Sequence, residues 1–128
     1  MNQRTGGAVI DEGKPIFVQI AEQIEDDIIA GSLAEEGQVP STNEFAAFYR
    51  INPATAGKGV NRLVDDGILY KKRGIGMFVA EGARAQLIQV RKDRFCDEFV
   101  RPLIAEAAKL GINPDQLSEM ISTEGVPA

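Results

Sequence analysis

Six basic side chains, Arg50, Lys58, Arg62, Lys71, Lys72 and Arg73, fall between positions 50 and 73, where only two acidic ones, Asp65 and Asp66, accompany them. The first 49 residues carry the opposite balance, Arg4 and Lys14 against nine acidic residues, and the whole chain has a formal net charge of −5. The chemistry open to such a strip is contact with anions at fixed positions, because local potential rather than net charge governs approach to a phosphate. An acidic body with one basic strip argues against indiscriminate nucleic-acid binding and is compatible with oriented binding. A solvated surface would give the same charge count, so the strip takes its meaning from the elements that carry it.

Other chemistry is poorly provided for. The chain has no histidine, which removes the commonest general base and the commonest metal ligand. Its one cysteine, Cys96, allows no intrachain disulfide, and a zinc site would need a single thiolate plus carboxylates. Beside Phe95 and Phe99, Cys96 reads as a small buried hydrophobe rather than a redox centre. There is no Gly-Lys-Ser/Thr phosphate loop and no Gly-x-Ser-x-Gly elbow, and Gly74-Ile75-Gly76 is too short for a dinucleotide fingerprint. The chain is therefore expected to be no enzyme and to hold no metal or cofactor. Its 128 residues, 44% hydrophobic and 26% charged, describe a soluble chain of one domain, or a small domain with an appendage. No apolar run approaches the ~18 residues of a membrane span. The first thirteen residues lack the apolar region of a secretion signal, so a cytoplasmic protein is expected.

The elements that must position the strip follow from spacing. Pro15 opens a helix in which Ile16, Ile20, Ile24 and Ile28 recur every four residues. Phe17 and Ile29 widen that stripe, and Glu22, Glu25, Asp26 and Asp27 lie mainly on the other faces. Gly31 ends the helix, and Val39-Pro40 is extended because the residue before proline avoids the helical region. Ser41 with Glu44 three residues on makes a capping box for a short second helix, whose apolar side is Phe45, Ala46, Phe48 and Tyr49. Arg50-Ile51-Asn52 forms the turn, with Ile51 as its buried plug.

Asn52 then caps, and Pro53 opens, a third helix running to about Asp66, with Val60, Leu63 and Val64 as its apolar stripe. Helix, short turn, helix is the arrangement in which the second helix of the pair lies in a DNA major groove. Gly57 and Gly59 each cost this helix roughly 0.5–1 kcal/mol relative to alanine. They mark either close approach to DNA or a neighbouring helix, or drift tolerated by tertiary packing. Gly67 stops the helix. Ile68 to Tyr70, the cations Lys71, Lys72 and Arg73, the turn Gly74-Ile75-Gly76 and the return Met77-Phe78-Val79 then read as a basic-tipped hairpin, a wing. Its charges serve either DNA contact or protection of an edge strand.

Pro15-Ile16-Phe17-x-Gln19-Ile20, Gly31-x-Leu33, Gly37-x-Val39-Pro40-Ser41, Asn52-Pro53-x-Thr55, Leu63-x-x-x-Gly67 and Gly74-x-Gly76-x-Phe78-Val79 occur in that order. The ordered set resembles the winged helix-turn-helix domain of GntR-type bacterial transcriptional regulators over roughly residues 14–80. The Asn-Pro helix start and short tail resemble the YtrA-type subgroup, whose members bind operators as dimers and often repress transporter operons.

The resemblance implies DNA contacts. Ser41, with Thr42 beside it, matches the serine that meets phosphate at the second helix's N-terminus. Thr55 and Lys58 lie on the exposed side of the recognition helix, and Gly76 lies in the wing that reaches the minor groove. Arg50, Asn52, Arg62, Lys72, Arg73 and Gly74 complete the candidate set, with Asn52 as a cap before a base contact. At Asn43 the chain departs from the family, which usually carries an arginine two residues after that serine. Arg50, Lys58 or Arg62 compensates, or the operator differs. The alternative is a winged-helix protein-interaction module that does not bind DNA, because fold alone does not choose function.

Beyond the wing, residues 81–110 are expected as one long helix. Phe95, Phe99, Leu103 and Ala107 form one apolar column, Cys96, Val100, Ile104 and Ala108 the next, and Leu87 and Ile88 begin the same side. Pro102 interrupts it, removing a hydrogen bond and kinking the helix. Gly111 is a C-cap, and Asn113-Pro114-Asp115 starts a last helix with Leu117, Met120 and Ile121 facing inward. So short a segment cannot bury such a face by itself. A second copy is expected to cover it through Leu87, Phe95, Phe99, Leu103, Leu117 and Ile121, since two-fold proteins pair with half-sites about 34 Å apart. An intramolecular lid is the alternative.

The complete expectation is a mainly α fold with a small β-hairpin wing. A flexible N-terminus (1–13) precedes a winged helix-turn-helix domain (14–80) and a C-terminal helical dimerisation region (81–128). Its partners are double-stranded operator DNA and a second copy, with a small-molecule effector that no residue pattern places.

Overall fold

A computed structural model describes residues 13–125, so the N-terminal segment expected to be flexible lies, except for Gly13, outside the described residues. The isoleucine column forms α1 (Ile16–Ala30), which follows Pro15 and ends where Gly31 takes φ 90°. Ile20, Ile24 and Ile28 are fully buried, each burial contributing roughly 1.5–3 kcal/mol. At the start of α2 (Thr42–Tyr49) the capping box is reciprocal: the Glu44 N–H donates to Ser41 Oγ at 3.1 Å, and the Ser41 N–H donates to Glu44 Oε1 at 2.7 Å. Asn52 Oδ1 accepts from the Ala54 N–H at 2.7 Å and opens α3 (Pro53–Asp65). That helix ends at Gly67, where the Gly67 N–H donates to Val64 O and the Ile68 N–H to Leu63 O, the paired bonds that satisfy a helix's last carbonyls.

The three helices close over Ile20, Ile24, Ile28, Val60 and Leu63, and the hairpin adds Leu69 and Val79 to the same core. Strands β1 (Leu69–Lys72) and β2 (Gly76–Val79) pair antiparallel, with Leu69 opposite Val79, Tyr70 opposite Phe78, Lys71 opposite Met77 and Lys72 opposite Gly76. The segment before α2, expected only as a connection, joins the other edge of β2. Gln38 bridges Phe78, the Val39 N–H donates to Met77 O at 2.9 Å, and the Val79 N–H donates to Gly37 O at 3.0 Å. The wing is therefore pinned along its return strand.

Helix α4 (Ala83–Phe95) begins inside this first compact unit, which runs through Ile88. Ala83 and Leu87 belong to its core, and Arg84 Nε donates to Ile29 O at 2.9 Å. Leu87, expected on a dimer face, is therefore corrected to a core residue. Its helical column continues beyond the point where the first unit's core ends, and spacing alone does not mark that boundary.

The second unit starts at Gln89. It holds the end of α4, a π-turn (Cys96–Val100), α5 (Arg101–Lys109) and α6 (Pro114–Thr123). Pro102 does not break the helical path. The Arg101 N–H reaches back five residues to Cys96 O, and the wider turn accommodates a ring that would clash with the carbonyl four residues earlier. Gly111 takes φ 73° after α5, and Asn113 with Gln116 makes a second capping box.

Phe95, Phe99, Leu103, Ile104, Met120 and Ile121 are all exposed in the single chain, while Leu117 is half-buried. The inward direction expected for Met120 and Ile121 is not what the chain shows. Cys96 is likewise exposed; aromatic sequence neighbours on a helix do not bury a residue when they themselves face solvent.

Candidate nucleic-acid interface

The corner between α2 and α3 rests on Arg50, which takes the left-handed conformation at φ 58° as the C-cap of α2. A side chain there costs roughly 1 kcal/mol that glycine would avoid. The Ile51 N–H then donates to Ala46 O at 3.0 Å, and Ile51 packs against the core but is only half-buried, where the plug reading expects it buried. Arg50 itself stays exposed, so the corner carries a cation between the two helices.

Along the outer side of α3, Ala54, Gly57, Lys58, Asn61 and Arg62 recur at spacings of three and four. With Phe17, Asp65 and Asp66 they line an open depression of about 700 Å³. The Lys58 ammonium sits 4.2 Å from the centre of the Phe17 ring, and Lys58 and Arg62 are both exposed. Thr55 is half-buried near the helix start, Ser41 and Asn43 are exposed at the start of α2, and Thr42 is half-buried. Ser41 and Asn52 both spend an oxygen on capping.

The two glycines of α3 separate cleanly. A Cβ on Gly59 would lie 2.7 Å from Phe17 O and 3.2 Å from Ile20, so Gly59 exists for the contact between α1 and α3. A Cβ on Gly57 would meet only Thr42 Cγ2, at an ordinary 3.6 Å. Packing inside the chain therefore accounts for Gly59 and not for Gly57.

In the wing, the Ile75 N–H donates to Lys72 O at 2.9 Å across a turn whose third residue, Gly74, has φ 78°; a type II turn requires that positive angle. Gly76 has an internal cause as well. A Cβ there would fall 2.5 Å from Gln38 Nε2, the atom that donates to Ile75 O at 3.1 Å. The pleat divides the basic residues. Lys72 shares a face with Tyr70 and Phe78, its ammonium 4.4 Å from the Phe78 ring and 5.9 Å from that of Tyr70, while Lys71 lies on the other face. Arg73 is exposed at the tip beside Ile75. The Tyr70 hydroxyl donates to Glu36; that bond, then desolvation and the carboxylate's charge, holds the phenol above its ordinary pKa.

A capped helix-turn-helix with an open, cation-bearing outer stripe beside a basic hairpin is a DNA-reading geometry. Residues 17–79, from the first turn of α1 to the end of β2, match the family of bacterial regulatory proteins called gntR. The chain is 30% identical to the transcriptional repressor YtrA of Bacillus subtilis, over 84% of this chain and 82% of that one. The chain belongs to the gntR family. It is also similar to the crystal structure of a GntR-family transcriptional regulator from Bacteroides thetaiotaomicron, with a TM-score of 0.68 at 36% identity over 84% of this chain and 94% of that chain. The DNA-binding domain of AraR, solved in complex with the operator ORX1, superposes with a TM-score of 0.51 at 29% identity, over 59% of this chain and 92% of that one. Membership of this family of regulators is the opposite of an enzyme assignment, and the winged-helix fold agrees with these structures.

Three residues of this gntR-family domain escaped sequence reasoning. Phe17 read as part of the core stripe of α1, yet its ring lies under Lys58. Asn61 carries no charge to draw attention, and only its three- and four-residue spacing to Lys58 and Gly57 places it on the outer stripe. Gln38 sits in a segment with no periodicity and fixes the wing tip from 37 residues away.

Proposed function

We propose that this gntR-family regulator binds a two-fold operator as a homodimer and represses the adjacent operon from within the cytoplasm. The observation that carries the reading is the outer stripe of α3, where Lys58, Asn61 and Arg62 line an open depression, with the wing that follows carrying the exposed cations Lys72 and Arg73. Recognition-helix side chains at such positions meet base edges, while Lys and Arg on the flanks neutralise phosphates. Gly57, unexplained by packing, lets the backbone of α3 approach the duplex. The Bacillus relative is named a repressor, and the AraR domain was solved on operator DNA; both lend weight to this reading for the present chain.

The second unit supports dimerisation through its exposed column of Phe95, Phe99 and Leu103, joined by Met120 and Ile121 on α6. A transporter operon as the target follows from the resemblance to the YtrA type; release by a small molecule belongs to the same reading, with no residue placing that effector. The test is a footprint on the DNA upstream of the protein's own gene, with sedimentation of the complex. A protected two-fold site and two chains per duplex are expected, and log K should fall with log salt at about −0.9 per phosphate neutralised. No protection at low salt sinks the proposal.

A further inference from the structure

Lys58 stands on α3, but what holds it belongs to α1. Its ammonium lies 4.2 Å from the Phe17 ring centre, and that ring forms a wall of the depression along the outer side of α3. The two helices are in close contact at the same place, because a Cβ on Gly59 would strike Phe17 O. Phe17 is therefore fixed through its backbone against α3 while its half-buried ring extends to the rim. Building on the DNA-binding reading, we infer that Phe17 is a positioning residue for operator contact: it holds the Lys58 ammonium over its face so that the charge is in place before DNA arrives.

A lysine loses considerable rotamer freedom when it is immobilised at an interface. A ring face that already restrains the chain lowers that cost and leaves the ammonium's N–H groups on the side away from the ring able to meet phosphate or a base edge. The same arrangement recurs in the wing, where Lys72 lies 4.4 Å from the Phe78 ring centre. Among the described residues Lys71, Arg62 and Arg73 make no ring contact, so of the basic strip only Lys58 and Lys72 are restrained in this way.

The experiment measures binding by fluorescence anisotropy to the duplex that the wild-type protein protects upstream of its own gene. Phe17→Leu keeps the apolar bulk and removes the ring; Phe17→Tyr keeps the ring. Phe17→Leu is expected to weaken binding about three- to fivefold, Phe17→Tyr to stay within about twofold, and Lys58→Ala to weaken it about tenfold. On the Lys58→Ala background, Phe17→Leu should have no further effect. Loss of the same size with and without Lys58 would show a general structural role and overturn the inference, as would wild-type affinity for Phe17→Leu.

Should Phe17→Leu not fold, the wild-type protein still decides the matter. The Lys58 ε-methylene protons must show an upfield ring-current shift that Phe17→Tyr retains, and its absence overturns the inference. Failure of the wild-type chain to bind any duplex overturns the DNA-binding reading itself, whereas duplex binding that Arg73→Ala weakens and Phe17→Leu does not removes only the role of Phe17.

Discussion

Leu63 and Phe99 occupy helical stretches patterned alike, with apolar residues at spacings of three and four, yet their surroundings differ completely. Leu63 on α3 is fully buried with α1 and the hairpin strands in one cluster, whereas Phe99 in the π-turn is 62% exposed. The first unit closes because three helices and a hairpin meet around one centre. The second has only consecutive helices and too few apolar partners within its own length. Helical periodicity therefore states that a face seeks cover without stating where that cover comes from.

The contrast breaks most visibly under truncation. Leu63→Ala should cost about 2–5 kcal/mol in denaturant unfolding, while Phe99→Asp should leave the first unit's unfolding within about 0.5 kcal/mol and abolish the proposed dimer in sedimentation. Equal damage from both would mean that the two regions are not distinct.

The glycines of α3 sharpen the comparison within one helix. Gly59→Ala should destabilise the chain by about 1–3 kcal/mol, because backbone must yield. Gly57→Ala should stabilise it by roughly 0.5–1 kcal/mol while weakening operator binding. A stabilised Gly57→Ala that binds DNA unchanged would leave Gly57 without a function.

At the corner, Arg50→Gly should raise stability by about 1 kcal/mol by relieving the left-handed side chain, while reducing the salt slope by about 0.9 if the cation meets a phosphate. Stability that falls instead would place Arg50 in a contact the fold depends on.

The smallest effect concerns Tyr70. Its folded-state phenol is held above the ordinary value by Glu36, so the stabilisation is complete below the unfolded value of about pH 10 and is lost as pH rises through the folded one. Phenolate absorbance should show one tyrosine titrating late in the wild-type chain and earlier in Glu36→Gln. An unchanged titration would remove Glu36 as the cause.

Local signals made much of the site legible. Ser41 with Glu44, Asn52 with Pro53, and Gly67 each act within a few residues, so their capping roles follow from sequence spacing, and the structure places them as caps. What spacing left open was settled by distant neighbours. Gly59 and Gly57 are indistinguishable in sequence and differ only because Phe17 approaches one of them. The wing cations read as one run, and the pleat sends Lys72 over Phe78 and Lys71 to the other face. Cys96 looked buried because its sequence neighbours are aromatic, but burial depends on packing partners that lie far along the chain.

The sequence by itself determined the order of the helices, their caps, the hairpin and the placement of a basic strip on the last elements of the winged domain. Each of these follows from interactions between residues a few positions apart, whose geometry the backbone dictates. The tertiary structure alone decided that α1 supplies a ring to Lys58, that Gln38 secures the wing tip, that Leu87 belongs to the first core and that the Phe99 face stays uncovered in one chain. Those outcomes depend on which surfaces meet after folding, and that is a property of the whole packed chain rather than of any window along it.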